Sequence, residues 1–493
     1  MAEKASYGAA HKSLGVRVLT VVLIVLLAVF LLASLQDTSA RTAPGERADS
    51  VVVAFVNVTV IPLDGERTIP NRTVLVRGDR IVEIGPAADV IVPLGAVMID
   101  AAGKYLMPGL AEMHAHIPGP TSPEQLVQDV MFLYVANGVT TIRGMLGAPN
   151  QLALRDRAAN REIIAPTIFV GAPSLNGQSA PTPDSAVRLI RTYKAAGYDF
   201  LKLHPGLSRV VYDAIVEAAR AEGITFAGHI SSAVGLQRTL EARQSTIDHL
   251  DGYLEAAVTP DVHARMSAGP VPFSEMVAAV DPARIRYWAG RTRDAGTWNV
   301  PTAFLWETFY SGDSAEVFAR RPEMRYAAPQ MVNAWIQQKR NMAQNQRNQG
   351  VTPADARRYL ELRRLTLRAL ADSGAPILMG TDSPQMFSVP GFSLHNEIGL
   401  MQAAGLAAYQ VLESGTVNVA RYAAEHLRVD GAFGTVAVGN RADLILLDAN
   451  PLLDARNVSR RTGVMVRGRW FSADELQRGL EEIAARYRPN QGR

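Results

Sequence analysis

The sequence predicts an α/β protein: a (β/α)8 TIM barrel, a small β-sandwich built from both chain ends, and an N-terminal apolar helix. Three observations carry this expectation. Eight short apolar segments alternate with helical patterns across residues 107–429. β-rich stretches at 50–106 and 430–475 flank that region, each too small to bury much alone. Val18 to Leu35 is almost unbroken apolar sequence.

Composition bounds the reading. The 493 residues are 48% hydrophobic and 20% charged, an ordinary globular balance. Net charge is +3, from Lys+Arg 50 against Asp+Glu 47, and the charges are interspersed. No basic block calls for a nucleic-acid partner. Cys is 0, which excludes disulfides, thiolate metal sites, a Cys nucleophile and a lipidated Cys. A metal would need His, carboxylate or a modified side chain.

Taken in order, residues 1–17 carry Lys4, Lys12 and Arg17 ahead of the apolar run 18–35. The positive-inside bias keeps this end cytoplasmic and sends the remainder outward, into the periplasm of a bacterium or the exterior. Thr38-Ser-Ala40 is an imperfect cleavage site, so transmembrane anchor and cleaved signal both stay open. Residues 36–49 read as a polar linker. Strand patterns follow at Val51–Ile61, Thr73–Val76, Arg80–Ile84 and Val97–Ile99, with a matching set at Gly434–Leu447 and Val464–Phe471. Residues 476–493 form a tail.

The central region begins with Tyr105-Leu-Met-Pro-Gly-Leu-Ala-Glu-Met-His-Ala-His116, an apolar run ending in two histidines. A helix is expected at Pro123–Asn137 and strands at Val139–Arg143 and Thr167–Val170. Asp184 is expected to cap a helix ending at Gly197. Strand Phe200–His204, helix Ser208–Glu222, strand Ile224–His229, helix Val234–Ala242 and strand Ser245–His249 follow. Helix Asp281–Ala295, with Pro282 at its first position, precedes strands Asn299–Ala303 and Pro376–Asp382. Two insertions, Leu254–Val280 and Leu305–Gly374, leave strand C-termini, where barrel active sites lie. Trp306, Phe309, Tyr310, Tyr326 and Trp335 in the second are read as packing residues.

Side chains alternate along a strand, so His114 and His116 point the same way and can grip one cation. Of the 9 histidines, five (114, 116, 204, 229 and 249) fall at the ends of expected barrel strands. Lys202 sits inside an apolar strand, and Gly380-Thr-Asp382 ends the last one. His204 shares the face of Lys202. Tyr253 lies just past His249, and Arg143, at the end of a strand, could hold a carboxylate bidentately or form a structural ion pair. These three are candidate substrate contacts. His395 and Glu397 are read as structural.

These motifs, with Gly434-Thr and Gly439-Asn-Arg-Ala-Asp443-Leu-Ile-Leu-Leu-Asp448-Ala-Asn-Pro451, resemble the amidohydrolase superfamily, most closely its prolidase-like dipeptidase and imidazolonepropionase-type branch. The resemblance covers Val51 to Phe471. It implies that His114, His116 and Asp382 bind one metal, that His229 and His249 bind a second, and that Lys202 is carboxylated and bridges them. The two divalent ions are expected to be Zn²⁺, although Mn²⁺, Co²⁺ and Fe²⁺ also suit such ligands. A metal-bridging hydroxide would be the nucleophile and Asp382 the proton shuttle, hydrolysing an amide or peptide bond of a small molecule, with a dipeptide or N-acyl amino acid favoured. A mononuclear deaminase, a lactone or ester hydrolase, and a non-catalytic membrane-tethered binding protein stay open as alternatives. The deaminase pattern lacks the strand lysine and has a Glu three residues after the His; here Lys202 is present and that position is Ser232. Membrane attachment through 18–35 and a homo-oligomer are both compatible with the sequence.

Overall fold

The apolar runs between residues 52 and 108 form strands, and one of them, at 105–108, finds its partner near the far end of the chain. The computed structural model describes residues 51–488. The apolar segment 18–35, its flanks and the last residues of the expected tail lie outside them. From Val52 onward the chain forms one compact unit. Among the described residues no helix is long and apolar enough to cross a membrane.

Strands β1 (Val52–Val60), β2 (Ile69–Arg77), β3 (Arg80–Pro86), β4 (Val97–Asp100) and β5 (Tyr105–Pro108) come from the N-terminal part. The barrel region supplies β6 (Leu110–Ala115), β7 (Val139–Gly144), β8 (Thr167–Val170), β9 (Phe200–Leu203), β10 (Thr225–Gly228), β11 (Thr246–Asp248) and β12 (Trp298–Val300). Then come β13 (Leu444–Leu447), β14 (Arg461–Val466) and β15 (Arg469–Ser472). The two chain ends meet where β13 pairs antiparallel with β5, Leu444 opposite Pro108. The result is one continuous sheet, ordered β15-β14-β13-β5-β1-β2-β3 with β4 beside β1, rather than two separate sheets. Its own core holds Phe55, Val74, Leu106, Leu444 and Met465.

The central strands are all parallel. β6–β7–β8 and β12–β11–β10–β9 form two sheets. Parallel bridges Gly171–Phe200 and Leu175–Leu203 join them on one side. On the other, segment 376–383 runs between β12 and β6 through the bridges Asn299–Ile377 and Ala115–Ser383. The cycle is consistent with the expected barrel. That eighth segment is not a regular strand, for a local reason: the Thr381 N–H donates to the buried Glu112 side chain at 2.7 Å instead of to a ladder carbonyl. β9 reads Phe-Leu-Lys-Leu with every residue buried, as a strand covered on both faces requires.

Helix ends follow their chemistry, with one correction. The helix Pro183–Ala196 is capped by Thr182, whose side chain accepts from the Ser185 N–H, and not by Asp184, which lies in the first turn. Ser208 and Asp281 cap their helices, accepting from the Val211 and Ala283 N–H groups. The expected tail is instead mostly a helix, Ala473–Arg486, burying Leu476, Leu480 and Ile483. Arg486 and Tyr487 tie it to Asp129. The larger insertion is helical, with Ala303–Tyr310, Pro329–Asn348 and Pro353–Ser373 as its main pieces.

Glu397 anchors the first of these pieces. Its two carboxylate oxygens accept from the N–H groups of Ala303 and Phe304 at 2.8 and 2.7 Å. Burial pushes its carboxyl up to about 7. Because the folded value lies above the unfolded one, this contribution is present below about pH 4.5 and is lost as pH rises towards 7. The stability of wild type relative to Glu397→Gln, from urea midpoints, should therefore fall by up to about 1.4 kcal/mol per pH unit across that window. A constant difference would disprove this assignment.

Candidate active site at the barrel strand ends

Five strand ends bring imidazoles or a carboxylate to a common point: β6 gives His114 and His116, β9 His204, β10 His229, β11 His249 and the eighth segment Asp382. Asp382 Oδ1 lies 2.6 Å from His116 Nε2 and 3.4 Å from His114 Nε2, and its Oδ2 lies 3.9 Å from His249 Nε2. Ring centroids are 4.4 Å apart for His114–His249, 4.5 Å for His229–His249 and 4.8 Å for His204–His229. His114, His249 and Asp382 place ligand atoms within 4.8 Å of one another, all buried. The residues expected at the strand ends are thus brought together.

Two glycines make the approach possible. A Cβ on Gly228 would lie 2.5 Å from the Leu203 carbonyl and 3.0 Å from Lys202 Cδ. One on Gly380 would lie 2.8 Å from the His114 nitrogen. The backbone also turns sharply where the site residues emerge: His249, Thr302 and Asp382 have φ of 62°, 46° and 68°, the left-handed region that L-residues avoid.

Partners behind the site fix each ring. His229 Nδ1 meets Asp251 Oδ2 at 2.8 Å, His249 Nδ1 meets Thr302 Oγ1 at 2.8 Å, and His204 Nδ1 meets Ser174 Oγ at 2.7 Å. His114 Nδ1 lies 3.1 Å from Asp248 Oδ2. His204, His229 and His249 are thus held through Nδ1, leaving Nε2 for a ligand, whereas His114 Nδ1 faces Asp248 without a hydrogen bond. Burial, with the Lys202 charge next, pushes His114 down to about 4 and His204 down to about 2. Burial likewise holds His249 well below the usual range. Neutral imidazoles are the form that offers a lone pair to a cation. Burial raises Asp382, but His114 and His116 outweigh it and keep the carboxylate ionised. Gln385 also donates to Asp382.

Lys202 is fully buried, and its Nζ has no hydrogen-bond partner; its nearest carboxylate oxygen, Asp248 Oδ2, is 3.6 Å away. Burial pushes its ammonium down. An unpartnered buried lysine beside three imidazoles and a carboxylate fits a site completed by cations.

A cavity of about 810 Å³ opens over this cluster. It is lined by His114, His116, His204, His229, His249 and Asp382, and also by Trp306 and Phe309, two aromatics that the sequence had assigned to packing. Tyr326 and Trp335 are core residues as expected. Another cavity, of about 830 Å³, lies among the insertion helices and holds none of these histidines.

Two expected substrate contacts are corrected. Arg143 is fully buried inside the barrel, donating to the Met113 carbonyl, the Tyr422 hydroxyl and Asp248. Tyr253 is buried, with its hydroxyl engaged by Thr292 and Asn299, each at 2.8 Å. Neither lines the cavity. His395 bonds Arg461 and Glu397 caps a helix, so both are structural as read. Sequence reasoning missed Asp248, Asp251, Thr302, Glu112 and Gln385. Asp248 and Asp251 flank His249 in Asp-His-Leu-Asp, and a charged residue inside the apolar strand was the available signal.

A family model described as "Amidohydrolase family" matches residues 105–471. Adenine deaminase 3 of Rhizobium meliloti is 28% identical over 180 residues, which cover 33% of this chain and 29% of that relative, so the chain spans less than a third of its length. Among solved structures, bottromycin amidohydrolase aligns with TM-score 0.67 at 24% identity, covering 91% of this chain and 94% of that one. A Xaa-Pro dipeptidase aligns with TM-score 0.60 at 18% identity, covering 85% and 100%. At these identities the structural likeness speaks for the fold alone.

Burial and partners separate structure from substrate binding at the two corrected positions. Arg143→Met should destabilise the chain by about 3–5 kcal/mol, as for any broken buried pair. Tyr253→Phe should cost about 1 kcal/mol in urea unfolding. In Tyr253→Phe, KM for any substrate should stay unchanged; a raised KM would return Tyr253 to the binding site.

Proposed function

We propose, from the premise that this chain belongs to the amidohydrolase family, that it is a metal-dependent hydrolase of carbon–nitrogen bonds in small-molecule amides, with a binuclear centre at the strand ends of a (β/α)8 barrel. The observation that carries this reading is the convergence of His114, His116, His229, His249 and Asp382 on the wall of one cavity, with the fully buried Lys202 close by and its Nζ without a hydrogen bond. His114, His116 and Asp382 would hold one ion and His229 and His249 the other, with carboxylated Lys202 between them. Imidazole and carboxylate donors suit Zn²⁺. When bound, the ions supply Lewis acidity towards the scissile carbonyl and acidify water.

The remaining work falls to the chain's own groups. Asp382, kept ionised, accepts a proton from the attacking water and returns it to the leaving nitrogen. Burial favours the neutral amine of Lys202, the form that reacts with CO₂. Asp251, an acceptor when ionised, favours the His229 tautomer with Nε2 unprotonated, and Thr302 holds the His249 ring through its Nδ1. His204, on the cavity wall, is placed to touch substrate.

A mononuclear deaminase is the second reading, favoured by relatives named adenine deaminases. The presence of Lys202, and of Ser232 on the cavity wall three residues after His229, weighs against it.

Metal stoichiometry by plasma mass spectrometry decides between them. About two ions per chain are expected in wild type, falling in Lys202→Ala together with amide hydrolysis. One ion, unchanged in the variant, would favour the deaminase; no metal and no hydrolysis would overturn the enzyme. Asp251→Asn should lower metal affinity or activity about 10–100-fold without unfolding the chain, read by competition with a chelator.

A further inference from the structure

The cavity has two unlike walls. Its floor is the histidine cluster. The facing wall is apolar: Leu305, Trp306 and Phe309 from helix Ala303–Tyr310, with Met266, Leu236 and Ile230 beside them. Trp306 is held from behind. Its ring lies 3.9 Å from Arg363 Cζ, stacks near-parallel on Tyr310 at 6.1 Å, and meets Tyr359 edge-on at 5.8 Å. Arg363 in turn donates to the His249 carbonyl and the Tyr359 hydroxyl. The wall is therefore tied to the strand end that carries a site histidine, and it presents a fixed aromatic surface.

The charges lining the cavity are one-sided. Among the described residues no Lys or Arg lines it. Asp251 is engaged by His229. Glu255, on the short helix Tyr253–Ala257, also lines the cavity, and no salt bridge among the described residues engages it. Burial, with Asp251 adding to it, pushes its carboxyl up, and a cation beside it would favour the ionised form. An ammonium group would meet Glu255.

We infer that the site selects amides that carry an apolar or aromatic side chain and a free ammonium group. The inference rests on the reading of the site as a carbon–nitrogen hydrolase. The reaction needs only water: the C–N bond breaks, the acyl carbon takes the hydroxyl, and the nitrogen takes the proton.

Three compounds sharing one scissile bond test it on the metal-loaded full chain: phenylalanine N-methylamide, phenylalanylglycine, and N-acetylphenylalanine N-methylamide. Release of methylamine or glycine is measured. The first two should each exceed the acetylated compound in kcat/KM by about tenfold or more, and Glu255→Gln should abolish that advantage, a ratio taken within the variant. Binding gives a readout independent of turnover. By calorimetry, phenethylammonium should bind about tenfold more tightly than 2-phenylethanol, the two should become equal in Glu255→Gln, and both should weaken in Trp306→Ala. Cleavage of the acetylated compound as fast as the other two, or equal binding of the cation and the alcohol in wild type, would overturn the inference. If no compound is cleaved and no metal is held, the hydrolase reading fails instead, and the binding comparison still decides on Glu255.

Discussion

Asp248 is the group on which the interior of the barrel depends. Its carboxylate is fully buried, so it can persist only if it is paired. Oδ1 accepts from Arg143 at 3.3 Å and from Thr246 at 2.8 Å. Oδ2 faces His114 Nδ1 at 3.1 Å and Lys202 Nζ at 3.6 Å. Burial would raise its carboxyl, but Arg143 first, then His114 and Lys202, hold it well below the usual range. One negative charge thus links residues of β6, β7, β9 and β11 and faces two of the candidate ligands. The arrangement explains why a guanidinium is packed between the Phe200 and Tyr422 rings, far from solvent. Arg143 stabilises the charge that orients His114, which is a different task from binding a substrate.

The site is held by backbone as much as by side chains. His249, Thr302 and Asp382 leave their strands in a conformation costing of order 1 kcal/mol or more each. Such turns persist when surrounding bonds over-determine them. Here Arg363 takes the His249 carbonyl, Glu397 takes the two N–H groups after Thr302, and the Asp382 N–H donates to the His114 carbonyl at 2.8 Å. Glu112 adds to this by accepting from the N–H groups of His114 and Thr381 on one oxygen. The segment bearing Asp382 is therefore bonded to the segment bearing His114 and His116, and the three cannot drift apart independently.

What was legible in the sequence was whatever repeats or stands out chemically. Parallel strands buried on both faces are apolar runs, so a lysine in Phe-Leu-Lys-Leu and histidines at run ends were conspicuous. Helical patterning located helices such as Ser208–Glu222, and Pro282 marked one helix start. The supporting groups were not legible, because an aspartate after Thr-Ile or a threonine after Pro301 looks like any turn residue until its partner is known. Arg143 and Tyr253 misled for the same reason: position along a strand says which end a residue occupies, but not whether its side chain runs into the barrel or out of its mouth. The eighth segment was expected as a strand because its apolar run is strand-like. Only the contact between Glu112 and Thr381 reveals why its ladder is broken.

The aromatic wall separates two kinds of information. The histidines and Asp382 lie on the parallel strands and their ends, where the barrel dictates direction, and general strand geometry suffices to group them. Trp306 and Phe309 lie on a helix that exists because an insertion follows β12, and their helical spacing is equally compatible with a core. What turns them towards the cavity is a local set of contacts: Glu397 fixes the helix start, and Arg363, Tyr310 and Tyr359 back the indole. The candidate ligands therefore belong to the barrel, and their motifs carried the family resemblance. The aromatic wall belongs to the insertion and follows from which face of one short helix is turned to the cavity.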